Sequence, residues 1–445
     1  MQQDLKRVYD KISDTSLLSE LPYWAASVSV GILAVVYADL FSQAEEWSYR
    51  MLLLQPYALL VITPVLFSLS WYIVQKFAPE AKGSGIPQVM ASIQRLETHH
   101  GEGYVDRLLG FKTLIVKVLS SLLCALGGGA IGREGPTVQI AASVFYFIST
   151  KFNMFPNNSR RVETWLITGG AAGIAAAFNT PLGGLVYGIE ELASSHINRF
   201  KTSLISAVII AGLASQWVSG PYLYLGFPKL LPISMSIVPW VILVSVICGL
   251  AGGLFGRSLL SLSRRTHYYL KQKHYVLVPI MCGLLVAGMA LLTDGHSFGS
   301  GKKTILDLLF SKQEVDWYIP VVRFIAPVAS YISGGAGGVF APSLAAGGTM
   351  GYWIAEQIHT QHTNLFVLLG MIAFLTGVTR TPFTAFVLVL EMTDRHSAIF
   401  PMMLSALVAV QVARLVHPHS FYEILKETYQ ADVEQEIEKS QRGET

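Results

Sequence analysis

Long apolar runs occupy residues 24–41, 52–74, 238–256 and 275–293. Each can cross about 30 Å of hydrocarbon as a helix, so the pattern predicts membrane spans. Between them lie hydrophobic pieces that are shorter or richer in glycine. Residues 137–150 and 343–355 are of this kind, fourteen and thirteen positions long, lengths that suit re-entrant or half-spanning segments. Each follows a Gly/Pro break, the pattern of discontinuous helices around a midplane site.

Composition supports lipid as the solvent. The chain is 52% hydrophobic and only 14% charged, with mean hydropathy +0.47, too apolar for a soluble protein of this size. The first run begins past Lys6-Arg7 without a small-residue cleavage site, so it is expected to be retained rather than removed as a signal. Cys124, Cys248 and Cys282 stand singly in apolar segments and read as core fillers, with no metal-ligand spacing. A net charge of +3 spread over loops gives no nucleic-acid footprint. The stretch 257–273 carries Arg257, Arg264, Arg265, Lys271 and Lys273 with no acid. By the positive-inside bias it is expected to be a cytoplasmic loop, and Arg199 and Lys201 place the segment after Glu191 on the same side.

The chain also repeats itself. Gly132-Arg133-Glu134-Gly135-Pro136 aligns with Gly338-Val339-Phe340-Ala341-Pro342, an offset of 206 positions from 132 to 338. Asn179-Thr180-Pro181 followed by Glu190 aligns with Arg380-Thr381-Pro382 followed by Glu391, an offset of 201 from 181 to 382. Gly83-Ser84-Gly85 matches Gly299-Ser300-Gly301 at an offset of 216. Three matches in one order imply two homologous halves, and the unequal charge after Glu191 and Glu391 implies opposite orientations. The expected architecture is an all-α integral membrane protein of two inverted-topology repeats with many tilted and discontinuous helices. Residues 1–20 form a cytoplasmic N-terminal segment, 21–225 the first repeat, 226–430 the second and 431–445 a short polar tail.

The candidate chemistry sits at the breaks. A helix that starts inside the membrane exposes unpaired N–H groups and the positive end of its dipole, so it can hold an anion without a full positive charge. Glycine before the start and proline in the first turn suit such a helix. The stretches at 83–87, 132–136 and 338–342 are three such starts. If they converge, their amides and the Ser84 hydroxyl form a cage for a small anion, too weak to trap it. Glu134 then lies where the anion should sit, and an ionised carboxylate and an anion about 4 Å apart repel by roughly 4 kcal/mol at an effective dielectric near 20. Protonation and anion occupancy become linked.

These residues carry a resemblance. Gly-Ser-Gly-Ile-Pro at 83–87, Gly-Arg-Glu-Gly-Pro at 132–136, Gly-Val-Phe-Ala-Pro at 338–342 and the late Tyr422 resemble the CLC chloride channel and transporter family in order, over residues 20–430. The resemblance implies a homodimer with a separate pore in each subunit. It implies that Ser84 and Tyr422 bind chloride by hydroxyl, that the amides of Val339 and Phe340 assist, and that Glu134 is external gate and proton carrier. Gly188-Ile189-Glu190-Glu191-Leu192 resembles the segment bearing the internal proton glutamate of the exchangers, with Glu191 in that role and Glu190 beside it. Ser84 favours chloride, since proline there resembles nitrate exchangers, and no regulatory tail is expected after residue 430, as in the short prokaryotic members. The implied activity is proton–chloride exchange in the inner membrane by a multi-pass protein, with chloride as substrate and no cofactor or metal. A passive voltage- or pH-gated chloride channel of the same fold is the rival.

Each residue also has a plainer reading. Glu134 could be a first-turn acid that stabilises its helix. Ser84 could be turn chemistry, Tyr422 an interfacial aromatic, and Glu190 and Glu191 solvated residues at a helix end. Arg133 is read as snorkelling or structurally paired and is left out of the site. Lys117 needs a partner or water, either to set pore electrostatics or to pair with an acid, and Glu391 is read as structural. Two decoys fail. Gly299-Ser300-Gly301-Lys302-Lys303-Thr304 lacks the leading glycine and the Ser/Thr of a phosphate loop,. An intramembrane hydrolase finds neither H-E-x-x-H nor G-x-S-x-G, and no histidine is placed to activate Ser84.

Overall fold

The computed structural model describes residues 16–97, 102–151, 159–193, 201–270, 276–311 and 316–441. Arg199, Lys271 and Lys273 lie outside these residues. Helices α1 (Ser16–Leu54), α2 (Leu59–Phe77), α3 (Ile86–Glu97), α4 (Glu102–Leu109) and α5 (Phe111–Leu126) open the chain. They are followed by α6 (Glu134–Lys151), α7 (Ser159–Phe178), α8 (Pro181–Tyr187) and α9 (Lys201–Ser219). The later part holds α10 (Val238–Leu270), α11 (Leu277–Leu292), α12 (Lys302–Leu306), α13 (Ile319–Ile332) and α14 (Phe340–Gln357). It continues with α15 (Thr363–Thr379), α16 (Pro382–Thr393), α17 (Ile399–Val416) and α18 (Phe421–Gln441).

Among the described residues, six helical stretches are long and apolar enough to cross a membrane by length and composition. They lie in α1, α2, α4–α5, α9, α10 and α17, and the windows that qualify are at most half buried, leaving apolar side chains to face hydrocarbon. The interior is the opposite. Residues 365–379 of α15 are buried all round, as expected of a helix with no polar face at the centre of the bundle.

Small residues bring the central helices together. A Cβ on Gly347 would collide with the Gly370 carbonyl, and one on Gly351 with that of Phe366, so α14 and α15 pack backbone to backbone. Such contact replaces the hydrophobic driving force that lipid cannot supply between helices.

Four expectations change. The apolar run 275–293, expected to span, forms among the described residues a helix of 16 residues, Leu277–Leu292, short of a full crossing. The short segments 137–150 and 343–355 belong to helices of 18 residues each, Glu134–Lys151 and Phe340–Gln357, because the motif residues themselves form the first turn. The basic stretch after 257 is not a loop up to residue 270: α10 continues through Arg257, Arg264 and Arg265. The polar residues after 430 form no separate tail, because α18 runs on to Gln441. It is tied down by the Arg95–Glu434 ion pair at 2.9 Å and a Tyr429 hydroxyl donating to the Lys82 carbonyl at 2.7 Å.

Candidate anion site

The three glycine-rich breaks converge. Gly83 N–H donates to the Gly335 carbonyl and Gly337 N–H to that of Gly83, both at 3.0 Å. Gly132 and Gly338 exchange N–H···O bonds of 2.7 and 2.8 Å. Segments far apart in sequence are thereby stitched into one knot, from which α3, α6 and α14 depart. The closeness explains the glycines: a Cβ on Gly135 would strike the Ser84 hydroxyl and lie 2.6 Å from the Ser84 carbonyl. Gly83 and Gly85 have φ of +68° and +108°, values that L side chains rarely adopt.

The amides left over point at the knot. Val339 caps α14, and Pro136 and Pro342 stand third in α6 and α14, where a missing N–H costs nothing. The amides of Glu134, Gly135, Phe340 and Ala341 belong to first turns, which have no helical acceptor. The Glu134 carboxylate reaches back towards its own amide and that of Ala341 and lies beside the α carbon of Gly132. Glu134 is 1% exposed and neither oxygen completes a hydrogen bond. The carboxylate therefore occupies the amide-lined position that an anion would take.

Ser84, Val339, Phe340 and Tyr422 are all buried around this point. The Ser84 and Tyr422 hydroxyls are neighbours but not aligned as a hydrogen bond, and neither has a partner among the described residues. Burying an unpaired hydroxyl costs about 1–3 kcal/mol, so two facing each other mark a place built for a ligand. Tyr422 is set by a capping box, Ser420 to Glu423, that is visible in the sequence. Glu423 N–H donates to the Ser420 hydroxyl at 3.0 Å while Ser420 N–H reaches the Glu423 carboxylate at 3.4 Å, starting α18 with Tyr422 in its first turn.

Lys117 pairs with backbone carbonyls and not with an acid. Its ammonium donates to the carbonyl of Gly83 at 2.9 Å and lies 3.4 Å from that of Lys82, so it orients the loop before Ser84. Arg133 is anchored structurally, Nη1 donating to the Ala38 carbonyl at 2.7 Å and the Ser42 hydroxyl at 3.1 Å. The second Gly-Ser-Gly loop is already filled: Ser300 N–H donates to the Glu45 carboxylate at 2.5 Å. That half keeps its anion-holding geometry with a protein carboxylate inside.

Glu190 and Glu191 part company. They lie on the π-helical turn Gly188–Leu192 that continues α8. Glu190, expected beside Glu191 as a gate and proton group, instead caps α16. It accepts from Phe383 N–H at 3.2 Å, Thr384 N–H at 2.7 Å and the Thr384 hydroxyl at 2.8 Å. Glu391 returns the arrangement, accepting from Leu182 N–H at 3.1 Å and Gly183 N–H at 2.6 Å at the start of α8. These reciprocal caps lock the two halves together and leave Glu190 without a free oxygen. Glu191 keeps one oxygen buried and unpaired, near Glu423 and Lys426 of α18.

Two residues escaped the sequence reading. Tyr187, four positions before Glu191, buries an unpaired hydroxyl within electrostatic reach of both Glu191 and Tyr422. The i, i+4 spacing was the available signal, obscured because tyrosine in an apolar run passes as packing. Gln139 was missed too: its amide N–H₂ donates to the Leu108 carbonyl at 2.7 Å, and its oxygen, unpaired, lies beside Gly85.

A profile of the family described as "Voltage gated chloride channel" matches residues 65–414. The chain belongs to this family. The H(+)/Cl(-) exchange transporter ClcA of Citrobacter koseri is 30% identical over 402 residues, covering 86% of this chain and 81% of that protein. ClcA of Salmonella typhimurium is 29% identical over 447 residues, covering 93% and 90%. Among solved structures, a slow cyanobacterial Cl-/H+ antiporter superposes with TM-score 0.80 at 23% identity, over 92% of this chain and 97% of that one. A CLC-type fluoride/proton antiporter gives 0.75 at 20% identity, over 92% and 98%. The CLC fold, all-helical and membrane-spanning, is therefore that of this chain.

Proposed function

We propose that this protein is a secondary active transporter that exchanges chloride for protons, and that it works as a homodimer in the cell's inner membrane. The observation that carries the reading is the Glu134 carboxylate among first-turn amides, beside two unpaired hydroxyls. Amide dipoles hold a small anion without full charge. Ionised, Glu134 competes with chloride for those amides; protonated, it loses about 4 kcal/mol of repulsion at 4 Å and effective dielectric 20 and releases the position. One proton and one anion thereby exclude each other at a shared point, which is the physical minimum for exchange. Names of the ClcA relatives support the substrate pair. The chemistry requires no metal or cofactor.

In this reading Ser84 and Tyr422, with the amides at Val339 and Phe340, hold the central chloride, and Glu191 receives protons from the cytoplasmic side. Glu190 serves as a cap rather than as a carrier. Tyr187 offers a hydroxyl between Glu191 and the centre, through which a proton can be handed along hydrogen bonds. Tyr187→Phe preserves packing and is expected to slow proton movement at least roughly tenfold, a loss of about 1.4 kcal/mol in barrier terms, while chloride flux holds. Equal proton rates in Tyr187→Phe would remove the hydroxyl from the route.

The overall test is a chloride gradient imposed across proteoliposomes with pH and chloride followed together. Exchange predicts uphill proton movement; chloride flow with no pH response would make the protein a channel.

A further inference from the structure

Arg133, anchored to α1 through Nη1, also borders a cavity. About 180 Å³ in volume, the cavity lies next to the Glu134 gate and is bordered by Arg133, Lys302, Asp39, Ser42 and Tyr222 among others. Given roughly 30 Å³ of liquid volume per water, it accommodates a halide with part of its hydration shell.

Two fixed cations meet there. Arg133 is 9% exposed and is held to α1 through Nη1 alone, which leaves its other N–H groups without a protein acceptor among the described residues. The Lys302 ammonium rests 4.1 Å from the centroid of the Tyr224 ring and forms no ion pair among the described residues. It lies within electrostatic reach of Arg133, Glu45 and Glu134. Asp39 is exposed at the rim, while the Glu45 carboxylate is already engaged by Ser300. A charge fixed on an aromatic face is pre-oriented at low entropic cost.

Packed rings join the Lys302 side of the cavity to the wall of the cage. Tyr224 packs edge-on against Phe178 at 5.1 Å, and Phe178 lies 5.6 Å from Phe340 of the α14 first turn. An anion between Arg133 and Lys302 thus waits beside the wall that Glu134 closes.

We infer that Arg133 and Lys302 form a loading site for a small monovalent anion in this outer cavity, separate from the amide cage. Lys302 supplies attraction without a trapping geometry, and Arg133 supplies directed N–H donors. The inference rests on the anion-transport reading, but it is read by equilibrium binding as well as by flux. Loss of proton coupling would sink the exchange reading and leave this site standing.

The experiment uses the full chain crystallised with bromide and measured by anomalous scattering, wild type beside Lys302→Gln. A bromide peak between the guanidinium and the ammonium is expected, lost in Lys302→Gln with the central peak retained. In proteoliposomes at constant ionic strength, Lys302→Gln is expected to raise the apparent KM for chloride about fivefold, the order for one partly solvated charge removed near an ion. The maximal rate should stay unchanged, and Lys302→Arg should restore KM. No wild-type peak in the cavity, a peak that survives Lys302→Gln, or an unchanged KM would each overturn the site. If Lys302→Gln fails to fold, the wild-type bromide map alone decides.

Discussion

Glu134→Gln is expected to abolish proton movement, a loss of about 100-fold or more, while chloride flux persists or rises. The glutamine is nearly isosteric, so the stitched loops around Gly132 and Gly338 should survive. What disappears is the charge. A neutral amide cannot carry a proton, and it no longer repels an anion from the first-turn amides of α6 and α14, a repulsion worth roughly 4 kcal/mol at 4 Å and effective dielectric 20. Two readouts follow from one change. Proteoliposomes should lose the pH response but not the chloride efflux, and bromide should gain occupancy at the position the carboxylate vacates. Retained coupling in Glu134→Gln would remove the gate role, and with it the central claim of mutual exclusion.

Glu191→Gln should produce the same loss of proton movement by a different route. Glu191 stands away from the amide cage, near Glu423 and Lys426, so its substitution should leave anion occupancy at Glu134 untouched. Chloride flux is expected within about twofold of wild type, with proton flux reduced on the order of 100-fold, some 2.7 kcal/mol of barrier. The contrast between the variants is informative in itself: both uncouple, but only Glu134→Gln alters anion binding. Normal proton flux in Glu191→Gln would take it off the pathway. Glu190→Gln is the natural control, since its oxygens are spent on the α16 amides, and any effect there should fall on stability rather than selectively on protons.

Neighbours in sequence showed where reading along the chain stops. Glu190 and Glu191 have the same chemistry, the same flank and the same apolar surroundings, so no local signal separates them. One step along the π-helical turn sends one to the N-terminus of α16 and leaves the other with an unpaired oxygen. Lys117 presented a similar limit. Its cost in an apolar helix was plain, but its partners are carbonyls 34 and 35 positions away, and carbonyls carry no side-chain signature. The Ser420-to-Glu423 capping box and the Tyr187-to-Glu191 spacing are both present in the sequence, but a tyrosine in an apolar run, such as Tyr187, reads first as packing.

The sequence by itself determined the solvent, three of the six spans, the places where helices break, and the repeat that relates one broken segment to another, because hydropathy, glycine and proline act locally on the backbone. It also placed an acid at one of those breaks, where the cost of a buried charge makes chance an unsatisfying explanation. Only the tertiary structure decided that the breaks meet, since the bonds from Gly132 to Gly338 and from Gly83 to Gly335 and Gly337 join residues more than two hundred positions apart. It alone decided that one Gly-Ser-Gly loop stays available while its counterpart is filled by Glu45. Whether a backbone amide is spent or free depends on which distant side chain arrives at it, and that is a property of packing.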